Sequence, residues 1–396
     1  MTSPVIGVIG GGQLARMMAP AAEALGVGFH VLAESAQSSA AQVAGRVTVG
    51  DHTDRAALQA FADTVDVITF DHEHVPPEHL RALQAAGHAV HPGPDALIHA
   101  QDKIVMRRRM DALGLPNPRW AEISTPEDLE RFGAEVGFPV ILKTPRGGYD
   151  GHGVRVVTSG ADAVDWLGSH PVLLSEERID FIRELAVMVA RSPMGQTAVW
   201  PVVATYQQDG VCKEAVAPAP GLDPELAQRI TADVLTVAGA LDVTGVMAME
   251  MFETPDGYRV NELAMRPHNT GHWTQDGSVT SQFEQHLRAV LDLPLGDPSA
   301  RTPATAMVNV LGADRDDLYR AYLHVLAHDP QVKVHMYGKS VRPGRKLGHV
   351  NVYGADAAEV LARARHAADF IAGIDTDPEP GRHAPASPSP SRKDTP

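Results

Sequence analysis

A glycine-rich segment in the middle of the chain leads from one predicted strand directly into another. The apolar run at residues 140–142 ends at Lys143, the next ten residues contain four glycines, and an apolar run resumes at Val154. A P-loop leads from a strand into a helix, so this segment is predicted to be a β-hairpin instead. The backbone amides of such a hairpin can close over a triphosphate, with Lys143 as a fixed cation at its base. A mobile hairpin without a ligand is the alternative.

A second glycine-lysine-serine sequence, Gly338-Lys339-Ser340, resembles the end of a Walker motif. Lys333 stands five residues before Gly338, where that motif requires a glycine. The sequence therefore argues against a P-loop nucleotide hydrolase.

The composition limits the partners and the location of the chain. Its formal net charge of −15 argues against nucleic acid or an anionic membrane as the main partner. No apolar run approaches the roughly 20 residues of a membrane span, so we expect a cytoplasmic protein. A single cysteine, Cys212, excludes an internal disulfide and a thiolate metal cage. Any phosphate must therefore be bound by local clusters of cations.

The first hundred residues alternate short apolar runs with helical patterns. Strands are predicted at residues 5–9, 28–32, 65–70 and 88–90. A helix is predicted at residues 13–25, with Gly26 as its C-cap. This alternation is typical of a Rossmann-like domain built on a parallel α/β sheet.

A first glycine loop, residues 10–12, connects the first strand to this helix. Backbone amides at such a helix N-terminus can bind a phosphate group by donating hydrogen bonds to it. Glu34 stands 22 residues after Gly12, where nicotinamide enzymes have a ribose-binding acid. The loop is compatible with a dinucleotide, with another phosphate ligand, or with a tight turn that binds nothing. A nicotinamide-dependent oxidoreductase is thus one alternative function.

Two glutamates are predicted to face each other across a hairpin in the middle region. The apolar runs 246–252 and 258–263 flank a Pro-Asp-Gly turn, and a hairpin centred near Asp256 places Glu250 opposite Glu262. Like charges about 5 Å apart repel each other, and the apolar neighbours imply burial. Carboxylate oxygens in such a pair favour Mg²⁺. An exposed strand pair without a metal is the alternative.

A cluster of planar donors follows the second glutamate. Within eight residues the chain contains Arg266, His268, Asn269, His272 and Trp273. A loop of this kind beside a metal suits a small oxyanion such as bicarbonate. Either histidine could instead be a structural residue.

A cluster of cations marks the last part of the chain. Lys339, Arg342, Arg345 and Lys346 lie within eight residues around a Pro-Gly turn. In an acidic protein this pattern indicates an anion site, with phosphate as the expected ligand. A solvated basic loop is the alternative.

The chain is predicted to form three domains and a tail. Residues 1–102 form the parallel α/β domain, residues 103–298 an α+β domain with mainly antiparallel strands, and residues 299–374 a smaller α+β domain. The region 375–396 is rich in proline, serine and charge, so it is predicted to be disordered.

Five short segments of the chain are informative when taken together: Gly-Gly-Tyr-Asp-Gly at 147–151, Met-Ala-Met-Glu at 247–250, Asn-Glu-Leu-Ala at 261–264, His-Asn-Thr-Gly-His-Trp-Thr at 268–274 and Arg-Pro-Gly-Arg-Lys-Leu-Gly-His at 342–349. Together they resemble one family of purine-biosynthetic enzymes, the N5-carboxyaminoimidazole ribonucleotide synthetases. The resemblance covers about residues 5–370, and its last two segments are specific to that family among ATP-grasp enzymes.

The resemblance implies an ATP-grasp fold in which ATP lies between two lobes of the middle domain, with Mg²⁺ on Glu250 and Glu262. It implies an ATP site at Lys103, Lys143, Gly148, Gly151, Gly153, Glu176, Glu184, Asn261 and Glu262, in which Glu176 marks the adenine hinge and Glu184 binds the ribose. It implies that Arg266, His268 and Asn269 handle bicarbonate and carboxyphosphate. It implies that Glu73, Tyr149 and Asp150 lie near the aminoimidazole, that Lys339, Arg345 and Lys346 lie near its ribose phosphate, and that Gln13 faces the nucleotide substrate. A homodimer is implied as well.

The reaction expected from this resemblance is an ATP-dependent carboxylation of aminoimidazole ribonucleotide through carboxyphosphate. Asp150 is a candidate for accepting the amine proton. Other ATP-grasp ligases, such as a formate-using glycinamide ribonucleotide transformylase or a biotin carboxylase, are the nearest alternatives. The cation cluster argues against them. A non-catalytic nucleotide sensor is disfavoured by the intact pair Glu250 and Glu262.

Overall fold

The computed structural model describes residues 3–148, 152–208, 210–313, 315 and 317–374. Tyr149, Asp150 and Gly151 of the predicted glycine-rich hairpin lie outside the described residues, as does the tail at 375–396 that was predicted to be disordered. None of the described helices is long and apolar enough to cross a membrane.

The N-terminal part of the chain is a five-stranded parallel sheet with strand order β3-β2-β1-β4-β5. Its strands are β1 (Val5–Ile9), β2 (Gly28–Ala33), β3 (Arg46–Val49), β4 (Val67–Phe70) and β5 (Ala89–Val90), and its helices are α1 (Gln13–Leu25), α2 (Arg55–Ala62), α3 (Pro77–Ala85) and α4 (Pro94–Gln101). The parallel sheet and the bounds of α1 are confirmed, and Gly26 adopts the left-handed C-cap conformation. Among the five strands, β3 alone was not predicted, because this edge strand contains no fully buried residue. The helices α2, α3 and α4 had no predicted bounds.

A small antiparallel sheet follows, with strand order β6-β9-β7-β8. Its strands are β6 (Trp120–Ile123), β7 (Val140–Lys143), β8 (Val154–Val157) and β9 (Leu173–Glu177). The helix α5 (Lys103–Ala112) precedes the sheet, and α6 (Pro126–Val136) and α7 (Val164–Leu167) connect its strands. The glycine-rich segment connects β7 to β8, whose ends pair through Lys143 and Val154. The predicted hairpin is therefore confirmed.

A large antiparallel sheet of nine strands forms the rest of the structure. Its order is β15-β14-β10-β12-β13-β16-β18-β17, with β11 paired to β10. The strands are β10 (Arg183–Arg191), β11 (Thr197–Val199), β12 (Val203–Gln208), β13 (Val211–Ala217), β14 (Gly245–Thr254), β15 (Gly257–Ala264), β16 (Ala304–Leu311), β17 (Lys333–Met336) and β18 (Lys346–Gly354). The accompanying helices are α8 (Pro224–Ala240), α9 (Thr274–Gly277), α10 (Gln282–Val290), α11 (Ala321–His328) and α12 (Ala357–Ala372).

This large sheet crosses the predicted domain boundary at residue 298 without a break. β13, which precedes the boundary, pairs with β16, which follows it, and Glu214 lies opposite Val308. The last strands of the chain thus extend the sheet that carries the facing glutamates.

The register of the large sheet is interrupted at three points. The shifts lie between Tyr206 and Gln207, between Glu250 and Met251, and between Val310 and Leu311. Each interruption is a bulge or a similar irregularity, which bends the strand and changes where a side chain points.

Helix α10 joins the N-terminal sheet to the large sheet. Nε2 of His286 lies 2.7 Å from Oγ1 of Thr69 on β4, and its Nδ1 accepts a hydrogen bond of 3.0 Å from the amide of Val246 on β14. Burial lowers the pKa of His286 to about 3, so the ring is neutral at physiological pH. A buried polar bridge of this kind fixes the two sheets relative to each other.

Candidate active site

Three cavities meet where the three sheets come together. The inter-lobe cavity, of about 580 Å³, lies between the small sheet and the large sheet. The central cavity, of about 460 Å³, lies between the loops of the N-terminal sheet and the large sheet. The glycine-loop cavity, of about 520 Å³, lies between the first glycine loop and residues 338–345. The inter-lobe and central cavities share Lys103, Gly148, Glu262, His268, Asn269 and Lys346.

Most residues predicted to bind ligands line one of these cavities. The inter-lobe cavity also contains Lys143, Glu176, Glu184, Glu250 and Asn261. The central cavity also contains Gln13, Glu73 and Arg266, and the glycine-loop cavity contains Lys339 and Arg345. Gly153 shapes the hairpin: its φ is +73°, and an added Cβ would lie 2.4 Å from Oγ1 of Thr144.

A buried ion cluster forms one wall of the inter-lobe cavity. Nζ of Lys143, at the end of β7, lies 2.7 Å from Oε2 of Glu176 on β9. Nε of Arg107, on α5, lies 2.7 Å from Oε1 of the same carboxylate. Burial alone would raise the pKa of Glu176, but the two cations outweigh it and lower the pKa to about 2. The carboxylate therefore holds Lys143 in place at the base of the hairpin.

Arg107 also ties this cluster to the large sheet. Its guanidinium donates to the carbonyl oxygens of Val260 and Asn261 on β15, each at 2.7 Å, and to Oδ1 of Asn117 at 2.8 Å. The side chain is fully buried. Sequence reasoning missed Arg107, although an arginine on the same helical face as the apolar residues around it is a signal that could have found it.

The facing glutamates lie between the inter-lobe and central cavities. The register places Glu250 opposite Glu262, as predicted. Burial raises the pKa of Glu250, and the charges of Glu262 and Glu184 raise it further. Two buried carboxylates that face each other repel when both are charged, and a hard divalent cation bound between them would offset that repulsion. The donor set therefore fits Mg²⁺.

The loop after β15, residues 265–273, is called the donor loop, and a carboxylate anchors it to the N-terminal sheet. Glu73 accepts a hydrogen bond of 2.8 Å from Nε of Arg266 and another of 2.8 Å from the amide of Met265. Although burial acts to lower the pKa of Arg266, Glu73 and Asp71 raise it overall, so the guanidinium stays charged. Glu73 thus positions Arg266 at the wall of the central cavity.

His268 and Asn269 occupy the wall that the two cavities share. Burial and the neighbouring cations Arg266 and Lys346 hold the pKa of His268 well below its usual range, so its ring is neutral. Its Nδ1 lies 2.9 Å from Oγ1 of Thr270, and its Nε2 lies 3.5 Å from Oε1 of Glu250. The amide oxygen and nitrogen of Asn269 are both buried and find no hydrogen-bond partner among the described residues. Such a pair of polar atoms indicates a ligand at this wall.

His272 differs from His268 in its surroundings. Its ring is fully buried, stacks on His349 with centroids 4.8 Å apart, and lies 3.0 Å from the amide nitrogen of Gln282 through Nδ1. His272 also lines the central cavity, and its Nε2 is buried without a hydrogen-bond partner among the described residues, whereas His268 faces the glutamates. Both histidines of this loop therefore stay candidates for contact with a ligand.

The carboxyl group of Asp71 already occupies the helix N-terminus at the first glycine loop. Asp71 accepts hydrogen bonds from the amides of Gly12 at 3.0 Å and Ala15 at 2.8 Å. An added Cβ at Gly12 would lie 2.0 Å from Oδ2 of Asp71, so the glycine is required by this close approach. The amides that would bind a dinucleotide phosphate are occupied, which argues against a nicotinamide oxidoreductase.

The structure divides the cations that were expected to form one anion site. Lys339 donates to Oε1 of Gln13, and Arg345 donates to Oγ of Ser340 at 2.8 Å. Both line the glycine-loop cavity, whereas Lys346, the first residue of β18, lines the other two cavities. Arg345 closes a turn, with its amide 3.1 Å from the carbonyl oxygen of Arg342, whereas Lys346 begins β18, and this separates the two side chains.

Three protein-family models match successive parts of the chain. The Ribonucleotide synthetase preATP-grasp domain matches residues 3–101, the ATP-grasp domain matches residues 108–283, and the Phosphoribosylaminoimidazole carboxylase C-terminal domain matches residues 305–363.

Curated proteins and solved structures give the same picture. The N5-carboxyaminoimidazole ribonucleotide synthase of Mycobacterium tuberculosis is 52% identical over 377 residues, covering 93% of this chain and 88% of that protein. The enzyme of Corynebacterium ammoniagenes is 50% identical, covering 93% of this chain and 92% of that protein. A crystal structure of the synthetase from Thermus thermophilus aligns with a TM-score of 0.84 at 36% identity, covering 94% of this chain and 99% of that one.

A crystal structure from Aspergillus clavatus extends the comparison to a ligand complex. This N5-carboxyaminoimidazole synthase, in complex with ADP and 5-aminoimidazole ribonucleotide, aligns with a TM-score of 0.85 at 30% identity, covering 94% of this chain and 100% of that one. With relatives at about half identity over nearly its whole length, the chain belongs to the N5-carboxyaminoimidazole ribonucleotide synthase family of ATP-grasp ligases.

Proposed function

We propose that this chain uses ATP and bicarbonate to carboxylate 5-aminoimidazole ribonucleotide on its exocyclic amine in purine biosynthesis. The observation that carries this proposal is the wall that the inter-lobe and central cavities share, which bears Glu262, His268 and Asn269. ATP in the first cavity and the ribonucleotide in the second would meet at this wall. A solved relative in complex with ADP and 5-aminoimidazole ribonucleotide supports both ligands.

The first half of the proposed reaction moves the γ-phosphoryl group of ATP to an oxygen of bicarbonate, which gives carboxyphosphate and ADP. Lys103 and Lys143 at the inter-lobe cavity would neutralise phosphate charge, and the hairpin containing Gly148 would cover the triphosphate. Glu250 and Glu262 would hold Mg²⁺, which when bound stabilises charge on the transferred group. The main contribution of these residues is to position the substrates and to exclude water.

The second half joins the carbon to the amine. Carboxyphosphate breaks down to carbon dioxide and phosphate, the exocyclic amine attacks the carbon, and the new nitrogen–carbon bond forms as the amine loses a proton. Three side chains could bind the oxyanion intermediate: Arg266 is a cation, His268 is a neutral imidazole, and Asn269 is a buried amide without a partner among the described residues. Together they suit an oxyanion with several acceptor oxygens. Asp150 stays a predicted acceptor of the proton, and Tyr149 a predicted neighbour of the substrate.

The ribonucleotide would span the central and glycine-loop cavities. Lys339 and Arg345 would bind its phosphate, and Gln13, which already accepts a hydrogen bond from Lys339, would contact its sugar. Lys346 lines the other two cavities, so its contact would be to the reacting groups and not to the ribose phosphate assigned to it from the sequence.

The proposed division into domains at 1–102, 103–298 and 299–374 is supported by family matches that fall inside each part. The last two parts share one sheet, because β13 pairs with β16 across residue 298. The homodimer stays a prediction, which sedimentation velocity of the full chain would test.

An ADP-release assay tests the proposed function. With Mg²⁺, ATP and bicarbonate present, addition of 5-aminoimidazole ribonucleotide should stimulate ADP release, and omission of bicarbonate should abolish the stimulation. Glycinamide ribonucleotide with formate serves as the control for another ATP-grasp specificity. Stimulation by that pair and none by aminoimidazole ribonucleotide would refute the proposal and leave the ATP-grasp chemistry intact.

A further inference from the structure

Three histidines come together on the two C-terminal helices. His324 and His328 are one turn apart on α11, a spacing that places both side chains on the same face of the helix. His366 projects toward them from α12. One ring nitrogen of each residue lies within 4.8 Å of the other two, and Nε2 of His324 lies 3.3 Å from Nε2 of His366.

This histidine cluster is separate from the candidate active site. None of the three residues lines the inter-lobe, central or glycine-loop cavity as these are formed by the described residues. The helices α11 and α12 pack instead on the core of β16 and β18. The proposed carboxylation makes no use of these side chains.

We propose that His324, His328 and His366 bind a divalent transition-metal ion, with Zn²⁺ as the best fit. Zn²⁺ binds imidazole nitrogen at about 2.0–2.1 Å, so two nitrogens of a tetrahedral site are about 3.4 Å apart. The distance of 3.3 Å between His324 and His366 matches that value. Imidazole suits zinc, nickel and copper, whereas Mg²⁺ prefers oxygen, so this ion differs from the one assigned to the glutamates.

The surroundings of the cluster fix its geometry. The ring of His324 stacks on Phe370 with centroids 3.8 Å apart and planes 16° apart. A cavity of about 240 Å³ is lined by His328 and His366, and it can admit a water molecule or a small anion to complete the coordination.

Asp329, the residue after His328, is already held by another side chain. Asp329 accepts hydrogen bonds of 2.7 Å and 3.0 Å from the guanidinium of Arg363. The site therefore offers three imidazoles and one open position, as in zinc sites with three protein ligands. A bound ion would crosslink α11 to α12 and so stabilise the end of the large sheet.

Cobalt titration of the full chain tests this proposal. The chain is stripped of metal with a chelator and desalted, and Mg²⁺ is added in excess to occupy sites built from oxygen ligands. Co²⁺ is then added, and the absorbance bands of four-coordinate Co²⁺ are followed before competition with Zn²⁺. Substitution His328→Ala should abolish one equivalent of binding or weaken it at least tenfold, since even changes around metal ligands cost about tenfold or more.

Two controls isolate the histidine cluster. Leu323→Ala alters an exposed side chain on the same helix, and His79→Ala removes a histidine on α3 whose Nε2 lies 3.0 Å from the carbonyl oxygen of Thr53. Both variants should bind Co²⁺ like the parent. Glu34, His52 and His72 also lie close together and offer a second set of metal ligands. The Co²⁺ bound by the histidine cluster is therefore measured as the difference in Co²⁺ binding between the parent and His328→Ala.

Thermal melting provides the second measurement. Zn²⁺ should raise the melting temperature of the parent and of Leu323→Ala, and leave that of His328→Ala unchanged. Because His328 is exposed, its replacement should preserve folding, which the melting temperature of the metal-free variant checks. The proposal would be overturned if the parent and His328→Ala bound Co²⁺ equally and neither showed the spectrum of four-coordinate Co²⁺. The contact between His324 and His366 would then be a hydrogen bond without a metal.

Discussion

Replacement of Arg107 by methionine should destabilise the chain and weaken ATP binding together. The change removes one of the two cations that hold Glu176 and leaves the carbonyl oxygens of Val260 and Asn261 without this donor. Breaking a buried ion pair by removing one partner costs about 3–5 kcal/mol. Because Glu176 positions Lys143 and Arg107 holds the backbone of Asn261, we expect the KM for ATP to rise while the KM for the ribonucleotide changes little.

The expected change in melting temperature follows from chain length. The unfolding entropy of globular proteins is about 2.1 cal/mol/K per residue, so a chain of 396 residues that unfolds as one unit has about 0.8 kcal/mol/K. A loss of 3–5 kcal/mol should therefore lower the melting temperature by about 4–6 °C. Differential scanning calorimetry of the ligand-free chain measures this shift.

The neighbouring residue on α5 provides a matched control. Arg108 pairs with Glu122, but their side chains are 61% and 36% exposed, whereas those of Arg107 and Glu176 are 0% and 4% exposed. An exposed pair is worth about 0.2–1 kcal/mol, so Arg108→Met should lower the melting temperature by about 1 °C or less. Equal shifts for the two variants, or an unchanged KM for ATP in Arg107→Met, would refute the reasoning.

Three further predictions test other parts of the site. Glu262→Gln removes one of the facing carboxylates and should lower kcat about a hundredfold; activity within about threefold of the parent in a steady-state assay would contradict a role in metal binding. Arg345→Leu should raise the KM for aminoimidazole ribonucleotide about ten- to a hundredfold, with the affinity for a fluorescent ATP analogue as the internal control; a loss of ATP affinity alone would assign this cation to the triphosphate. The pKa of Glu176 is lowered from 4.5 to about 2, so its ion pairs stabilise the fold fully above pH 4.5 and lose their contribution as the pH falls toward 2. Thermal melts of the parent and of Glu176→Gln between pH 6 and pH 3 should therefore converge on acidification, and parallel curves would contradict this.

Local patterns in the sequence predicted the parts of the site that depend on neighbours along the chain. The two strands around Asp256 are joined by a tight turn, and side chains alternate along a strand, so the pairing of Glu250 with Glu262 follows from the sequence. The amphipathic spacing of α1 likewise gave its bounds.

Contacts between distant segments could not be predicted in this way. Arg107 and Glu176 are 69 residues apart, and Asp71 reaches the amide of Gly12 across 59 residues. A single polar residue at a buried position leaves no periodic trace, so neither contact was expected. The strand β18 was missed because it begins inside the cation cluster, where a turn was predicted, and this hid the separation of Lys346 from Arg345.

Residues at the three interruptions in the register of the large sheet line one wall of the inter-lobe cavity. Gln207, Glu250 and Lys346, which pairs at the third interruption, all line the inter-lobe cavity. β14 and β18 are five strand intervals apart, about 24 Å in a flat sheet at roughly 4.8 Å per interval, yet Glu250 and Lys346 line the same cavity. The sheet must therefore curl, and extra residues at bulges are the usual source of such curvature. The number of residues in these strands therefore affects activity. Deleting the extra residue at a bulge would flatten this wall of the cavity and would turn the side chains beyond the deletion to the opposite face of the sheet.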